Sequence, residues 1–215
     1  MVMKTLRSIP LHRLFIFFLL TMGYTSCSQS NSSKLAIHQS NENLSSSESE
    51  ALLYMLEEEK LARDTYTYLN SLWAVNQFAN IKQSEQRHME AIQTLLDSYE
   101  ITYEILPMGQ FNNPSLQDLY NQLTAQGQSG LTQALQVGAT IEDLDIVDLD
   151  NYLKEVTSPN IAQVFQRLQC GSRNHLRSFV FGLENAGASY TPVYLETETY
   201  ETILDGNHER CGMRY

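Results

Sequence analysis

The sequence predicts an all-α protein built on four long helices, and three observations carry that prediction. Apolar residues recur in steps of three and four through four stretches. Runs rich in Pro, Gly and Asn separate the stretches. Each apolar face is interrupted near its middle by acidic or histidine residues. The second stretch shows this best: Phe78, Ile81, Ile92, Leu95 and Tyr99 share one face, and the same stepping lands on Glu85 and His88. A carboxylate and an imidazole on an inward face are costly unless something pairs with them. Glu-x-x-His in that position is how helix bundles build metal sites.

In chain order, residues 1–26 read as an export signal. Lys4, Arg7 and Arg13 precede the apolar run Leu14–Met22, too short to span a bilayer comfortably. Tyr24-Thr-Ser-Cys27 is similar to a bacterial lipobox, departing from it at Tyr24. Cleavage there would make Cys27 the lipidated N-terminus of an envelope lipoprotein; simple secretion and an uncleaved anchor are the other readings. Residues 27–45, rich in Ser and Asn, read as a flexible tether.

The first helix runs from Ser46 to about Asn70 on the stripe Leu52, Met55, Leu56, Ala62, Tyr66 and Leu69, which also takes in Glu59. Asn76 is expected to cap the second helix, which stops near Glu100. Pro107, Gly109, Asn112, Asn113 and Pro114 break the chain next. Residues 115–126 then form a short helix, with Leu116, Leu119, Tyr120 and Leu123 inward and Gly127 as its stop. This is a long crossover joining two helical hairpins. The third helix starts near Ser129, and its seam is Leu131, Leu135, Gly138, Glu142, Asp145, Leu149 and Tyr152. Ser158 is expected to cap the fourth, with Pro159 at its first position. The fourth seam is Ile161, Phe165, Leu168, Ser172, His175, Phe179 and Leu183, closed by Gly187. The helical domain is thus residues 46–186, and 187–215 form a C-terminal arm with at most a short helix around Tyr200, Ile203 and Leu204.

A net charge of −11 excludes nucleic acid as a natural partner, because phosphate binding needs clustered Lys and Arg. Removal of residues 1–26 would leave 11 basic against 25 acidic residues, a charge of −14. With Cys27 lipidated, Cys170 and Cys211 remain as an even pair in an oxidising compartment. A disulfide tying the arm to the domain is the expectation; two free thiols are the competing reading.

Glu59, Glu85, His88, Glu142, Asp145 and His175 fall at mid-seam on four helices, so they meet at one level of the core. That set suits iron or manganese, and zinc would accept the same donor types. The individual readings differ in weight. Arg63 could pair with Glu59, and Glu142–Asp150 is acidic throughout, as a solvated face would be. Glu58 points about 100° away from Glu59 and is expected in solvent. Tyr66 is expected to fill the core, while Cys170 and His208 are not counted as ligands.

These residues resemble the ferritin-like superfamily over roughly residues 46–186. Glu59-Lys-Leu-Ala62-Arg-Asp-Thr-Tyr66 is similar to its first-helix pattern, and Glu85-Gln-Arg-His88 to its second-helix ligand pair. Glu57–Asp64, Ser84–Met89, Gly138–Ile146 and Gly171–Leu176 resemble a bacterial and archaeal family of unassigned function within it. The resemblance implies a four-helix bundle around a carboxylate-bridged di-metal centre, reduced to one ion if no second bridging carboxylate reaches it. Glu59 and Glu142 would be terminal ligands, Glu85 a bridge, and His88 and His175 one nitrogen each. Ser172 departs from the pattern, since a second Glu-x-x-His is usual on the fourth helix; Asp145 is the candidate replacement. The function expected is Fe(II) oxidation or peroxide reduction at the envelope. The alternatives are metal buffering without turnover and a non-catalytic binding module.

Overall fold

Helix α1 (Ser46–Trp73) begins where a capping box forms: the Ser45 hydroxyl accepts the Glu48 N–H, and the Glu48 carboxylate accepts the Ser45 N–H. The computed structural model describes residues 44–212. The expected export signal, lipidation at Cys27 and nearly all of the tether lie outside the described residues. Leu44 and Ser45, assigned to the tether, instead belong to the folded part, Leu44 packing on the apolar core.

The other helices are α2 (Asn76–Ser98), α3 (Pro114–Gly127), α4 (Leu131–Glu155), α5 (Pro159–Asn185) and α6 (Thr197–Asp205). Among the described residues there is no strand, so the protein is all-α. Two caps differ from expectation. Asn76 is the first residue of α2 rather than its cap, which is Val75 with no side-chain bond. Ser158 occupies the cap position of α5 but spends its hydroxyl on Tyr99. Asn113 does cap α3, with Pro114 following it.

The apolar core falls into two clusters with a polar layer between them. One holds Tyr66, Leu69, Phe78, Leu135, Phe179 and Leu183. The other holds Leu52, Met55, Ile92, Leu149, Phe165 and Leu168. Chain direction follows from the order in which each helix meets them. α1 and α5 run from the second cluster to the first, whereas α2 and α4 run from the first to the second. Hence α1 and α2 are antiparallel, α4 and α5 are antiparallel, and α2 and α4 are parallel. α1 packs chiefly on α2 and α4 on α5, with α2 against α5 and α1 against α4.

A parallel α2–α4 pair obliges the crossover to return the length of a helix, about 34 Å for 23 residues at 1.5 Å each. The return is pinned to α1. Glu57 accepts the backbone N–H groups of Asn112 and Asn113 at 2.6 and 2.8 Å. The buried Lys60 ammonium donates to Asp64 at 2.6 Å and to the carbonyls of Pro107 and Gln110 at 3.1 and 3.0 Å. It also sits 4.3 Å above the Phe111 ring.

The C-terminal arm is held from α4 and α5. Asp143 accepts from the Tyr190 hydroxyl and from the N–H groups of Val193, Tyr194 and Leu195. Farther on, Glu209 pairs with Arg173 and Arg177, and Cys170 is bonded to Cys211.

Candidate metal centre

The polar layer is the site. Glu59 comes from α1, Glu85 and His88 from α2, Glu142 and Asp145 from α4, and Ser172 and His175 from α5; all are buried. His88 reaches the layer because Gly171 faces it. A Cβ on Gly171 would stand 2.7 Å from His88 Nε2, closer than contact allows.

Five of these side chains converge as two groups sharing one member. His88 Nδ1 lies 2.8 Å from Glu85 Oε2 and 3.1 Å from Glu59 Oε2. His175 Nδ1 lies 2.8 Å from Glu85 Oε1 and 3.3 Å from Glu142 Oε2. The short Glu85 Oε1 contact lacks hydrogen-bond geometry. Glu59, Glu85 and His88 therefore form one group able to hold a metal ion, and Glu85, Glu142 and His175 a second, each with ligand atoms within 4.8 Å of one another. The two imidazoles stack at 5.5 Å between centroids. The Tyr66 hydroxyl donates to Glu142 Oε1 at 2.6 Å, so this tyrosine orients a carboxylate as well as filling the core.

Asp145 is in the layer but in neither group. The Ser172 hydroxyl donates to its Oδ2, and its Oδ1 has no partner. Arg63 does not pair with Glu59; it binds Asp64 and Gln86. His208 is exposed.

The electrostatics all favour added positive charge. Burial works against the charged imidazoles, but the facing carboxylates outweigh it. Glu59 and Glu85 hold His88 well above the usual range, and Glu85 and Glu142 raise His175 to about 10. Burial likewise pushes Glu85 up, yet His175 and His88 pull its carboxyl well below the usual range. For Glu59 and Glu142 burial prevails over the nearby histidine, and both are raised. Asp145 is raised to about 7, by burial and by Glu142.

Sequence reasoning missed Glu58. It is 2% exposed rather than solvated, with both carboxylate oxygens unpartnered, and it faces Asp145 and Asp148 across the α1–α4 contact. Glu58 through Ala62 are all buried, because the crossover covers the side of α1 that other helices leave open. No periodicity marks a helix wrapped on every side.

Fold and site together define an all-helical protein with two adjoining carboxylate–histidine groups in its core. The chain belongs to the family described as an uncharacterized protein domain, DUF2202, whose profile matches residues 48–207. It is similar to the uncharacterized protein MJ0754 of Methanocaldococcus jannaschii, 44% identical over 169 residues that span 78% of this chain and 91% of that one. The crystal structure of that hypothetical protein matches with a TM-score of 0.76 at 44% identity, covering 77% of this chain and 96% of the other.

Proposed function

We propose that the chain is a ferritin-like four-helix bundle in which Glu59, Glu85, His88, Glu142 and His175 hold two divalent ions, iron or manganese. The observation that carries this reading is the crowding at each Nδ1. A single imidazole nitrogen offers one proton or one lone pair, yet two carboxylate oxygens close on each. Glu59 Oε1 and His88 Nε2 meanwhile find no partner. A cation between the groups would serve several of these atoms at once. Glu85 is the shared member, as a bridging carboxylate must be. Oxygen-rich donors with one nitrogen per ion suit iron or manganese.

Bound iron or manganese would supply one-electron redox chemistry, for Fe(II) oxidation or peroxide reduction. The chain's own residues do the rest. Tyr66 fixes Glu142, Gly171 lets His88 approach, and the apolar clusters above and below keep bulk water from the layer. Ser172 holds Asp145 aside, so among the described residues Glu85 is the carboxylate that would serve both groups.

Elemental analysis of protein purified without chelator tests this reading. We expect one to two equivalents of iron or manganese, a higher melting temperature on adding Fe(II) or Mn(II), and loss of both effects when Glu85 and His88 are replaced by Ala. Near-zero metal with unchanged melting would refute it. Oxygen or peroxide consumption by loaded protein separates turnover from storage. Export and lipidation at Cys27 belong to the same proposal, and mass spectrometry of the mature N-terminus checks them.

A further inference from the structure

Through the same two turns α5 carries two stripes. Gly171, Ser172 and His175 face the polar layer, where Gly171 admits His88 and His175 completes the second metal group. Cys170, Arg173, Asn174 and Arg177 stand at i, i+3, i+4 and i+7, the spacing of a separate helix face. All four are bonded to the C-terminal arm. Cys170 forms the disulfide with Cys211. The Arg173 guanidinium donates to both carboxylate oxygens of Glu209 at 2.8 and 2.5 Å, and Arg177 donates to the same carboxylate at 3.0 Å. Asn174 donates to the Glu209 carbonyl at 3.0 Å and accepts the Glu209 N–H at 2.9 Å. Arg177 also donates to the Ile203 carbonyl at 2.7 Å.

The arm meets this face as chain without regular structure, since Gly206 to Cys211 contains no helix or strand. Such a segment keeps its place through its anchors rather than through a core of its own. Arg173, Asn174 and Arg177 are partly exposed, and so is Cys211, which puts the disulfide within reach of a reductant. The turn beneath is also the least enclosed part of the centre. His175 is 9% exposed, against 0% for His88 and 2% for Glu59, Glu85 and Glu142. Glu59 and His88 stand on α1 and α2, whereas every bond named above ends on α5.

We propose that the tail from Gly206 to Cys211 is a redox-sensitive clasp that positions His175 for its metal ion. The inference rests on the metal-site reading. Closed, the clasp fixes the turns from Cys170 to Arg177. A dithiol reductant opens it by exchange: one of its thiolates attacks a sulfur, and the Cys170–Cys211 bond breaks. Two electrons and two protons end on the cysteines, and the reductant leaves as its own disulfide. The ion among Glu85, Glu142 and His175 is then held less tightly, while the ion among Glu59, Glu85 and His88 stays.

Cobalt(II) binding by equilibrium dialysis tests this on three forms of the full chain. One is wild type with the disulfide intact. Another is wild type reduced by an immobilised phosphine that is removed before metal is added. The third is the Cys170→Ser/Cys211→Ser variant, which has no thiol there to bind cobalt. We expect both opened forms to hold one of the two ions more weakly by about tenfold or more, the order of effect of losing an outer-shell support. The other ion should stay within about twofold, and reoxidation of the reduced protein should restore the first. His175→Ala should hold the same ion weakly from the start, with no further change on reduction. Circular dichroism checks that each form is folded. Both ions held as before in the opened forms, or both weakened alike, would overturn the inference and leave the centre standing. No cobalt bound by intact wild type, or undiminished binding by the Glu85→Ala/His88→Ala variant, would overturn the centre and the inference with it.

Discussion

Glu142 and Asp143 are neighbours on α4, 2% and 0% exposed, yet they use burial in opposite ways. Asp143 faces the C-terminal arm and accepts from one hydroxyl and three backbone N–H groups at 2.6 to 3.1 Å. Both of its oxygens are bonded, and its role is to hold the chain in place. Glu142 faces the polar layer, where Tyr66 takes one oxygen and the other shares a crowded imidazole with Glu85. Lys60 and Glu58 on α1 repeat the contrast, the lysine with three acceptors and the glutamate set beside other carboxylates. Buried charge that is fully partnered builds structure, and buried charge left short of partners marks where a ligand belongs.

The contrast can be broken most directly at Asp143. Replacing it by Ala strands four donors, so urea unfolding should lose about 3–5 kcal/mol. Glu142→Gln in metal-free protein should stay within about 1 kcal/mol of wild type, since it keeps the Tyr66 bond and removes a like charge. Equal losses at the two positions would erase the distinction.

On α1, Lys60→Met should cost about 2–3 kcal/mol through the lost loop carbonyl bonds and the buried Asp64 left with less compensation. It should also make the 107–113 region more open to hydrogen exchange. Glu58→Gln should be near neutral or stabilising in metal-free protein. Metal sharpens the contrast from the other side. At 100 times its dissociation constant, one ion should add about 2.7 kcal/mol to wild type and nothing to the Glu85→Ala/His88→Ala variant.

The smallest effect concerns Glu48, which accepts the N–H groups of Thr157 and Ser158 at 2.8 Å each. Burial raises its carboxyl, but the bonds from Ser158, Thr157 and Ser45 outweigh it and bring it to about 2, below the ordinary 4.5. The folded value is depressed, so its contribution is present above about pH 4.5 and is lost as pH falls toward 2. Stability curves of wild type and Glu48→Gln should therefore converge in acid and separate near neutrality.

How much of this could be read from sequence depends on how many sides of a residue the fold covers. Glu85, His88 and His175 were legible because α2 and α5 keep one wet face, against which a polar residue on the dry face stands out. The boundaries marked by Pro114, Pro159 and Gly187 were legible, whereas α1 runs past the expected Asn70 to Trp73. Glu58 was not, because α1 is enclosed on all sides from Glu58 to Ala62. Asp143 lies in a run acidic enough to pass for a surface, and its partners are backbone groups of an arm without periodicity. The placement of Asp145 depended on Ser172, whose hydroxyl claims it from across the core.

Anomalous diffraction from crystals grown with Mn(II) tests the metal centre most directly. Two peaks are predicted, one among Glu59, Glu85 and His88 and one among Glu85, Glu142 and His175, with Glu85 touching both. A clean map at that position, with both Nδ1 atoms still on the carboxylates, would show instead that protonated histidines close the layer by themselves.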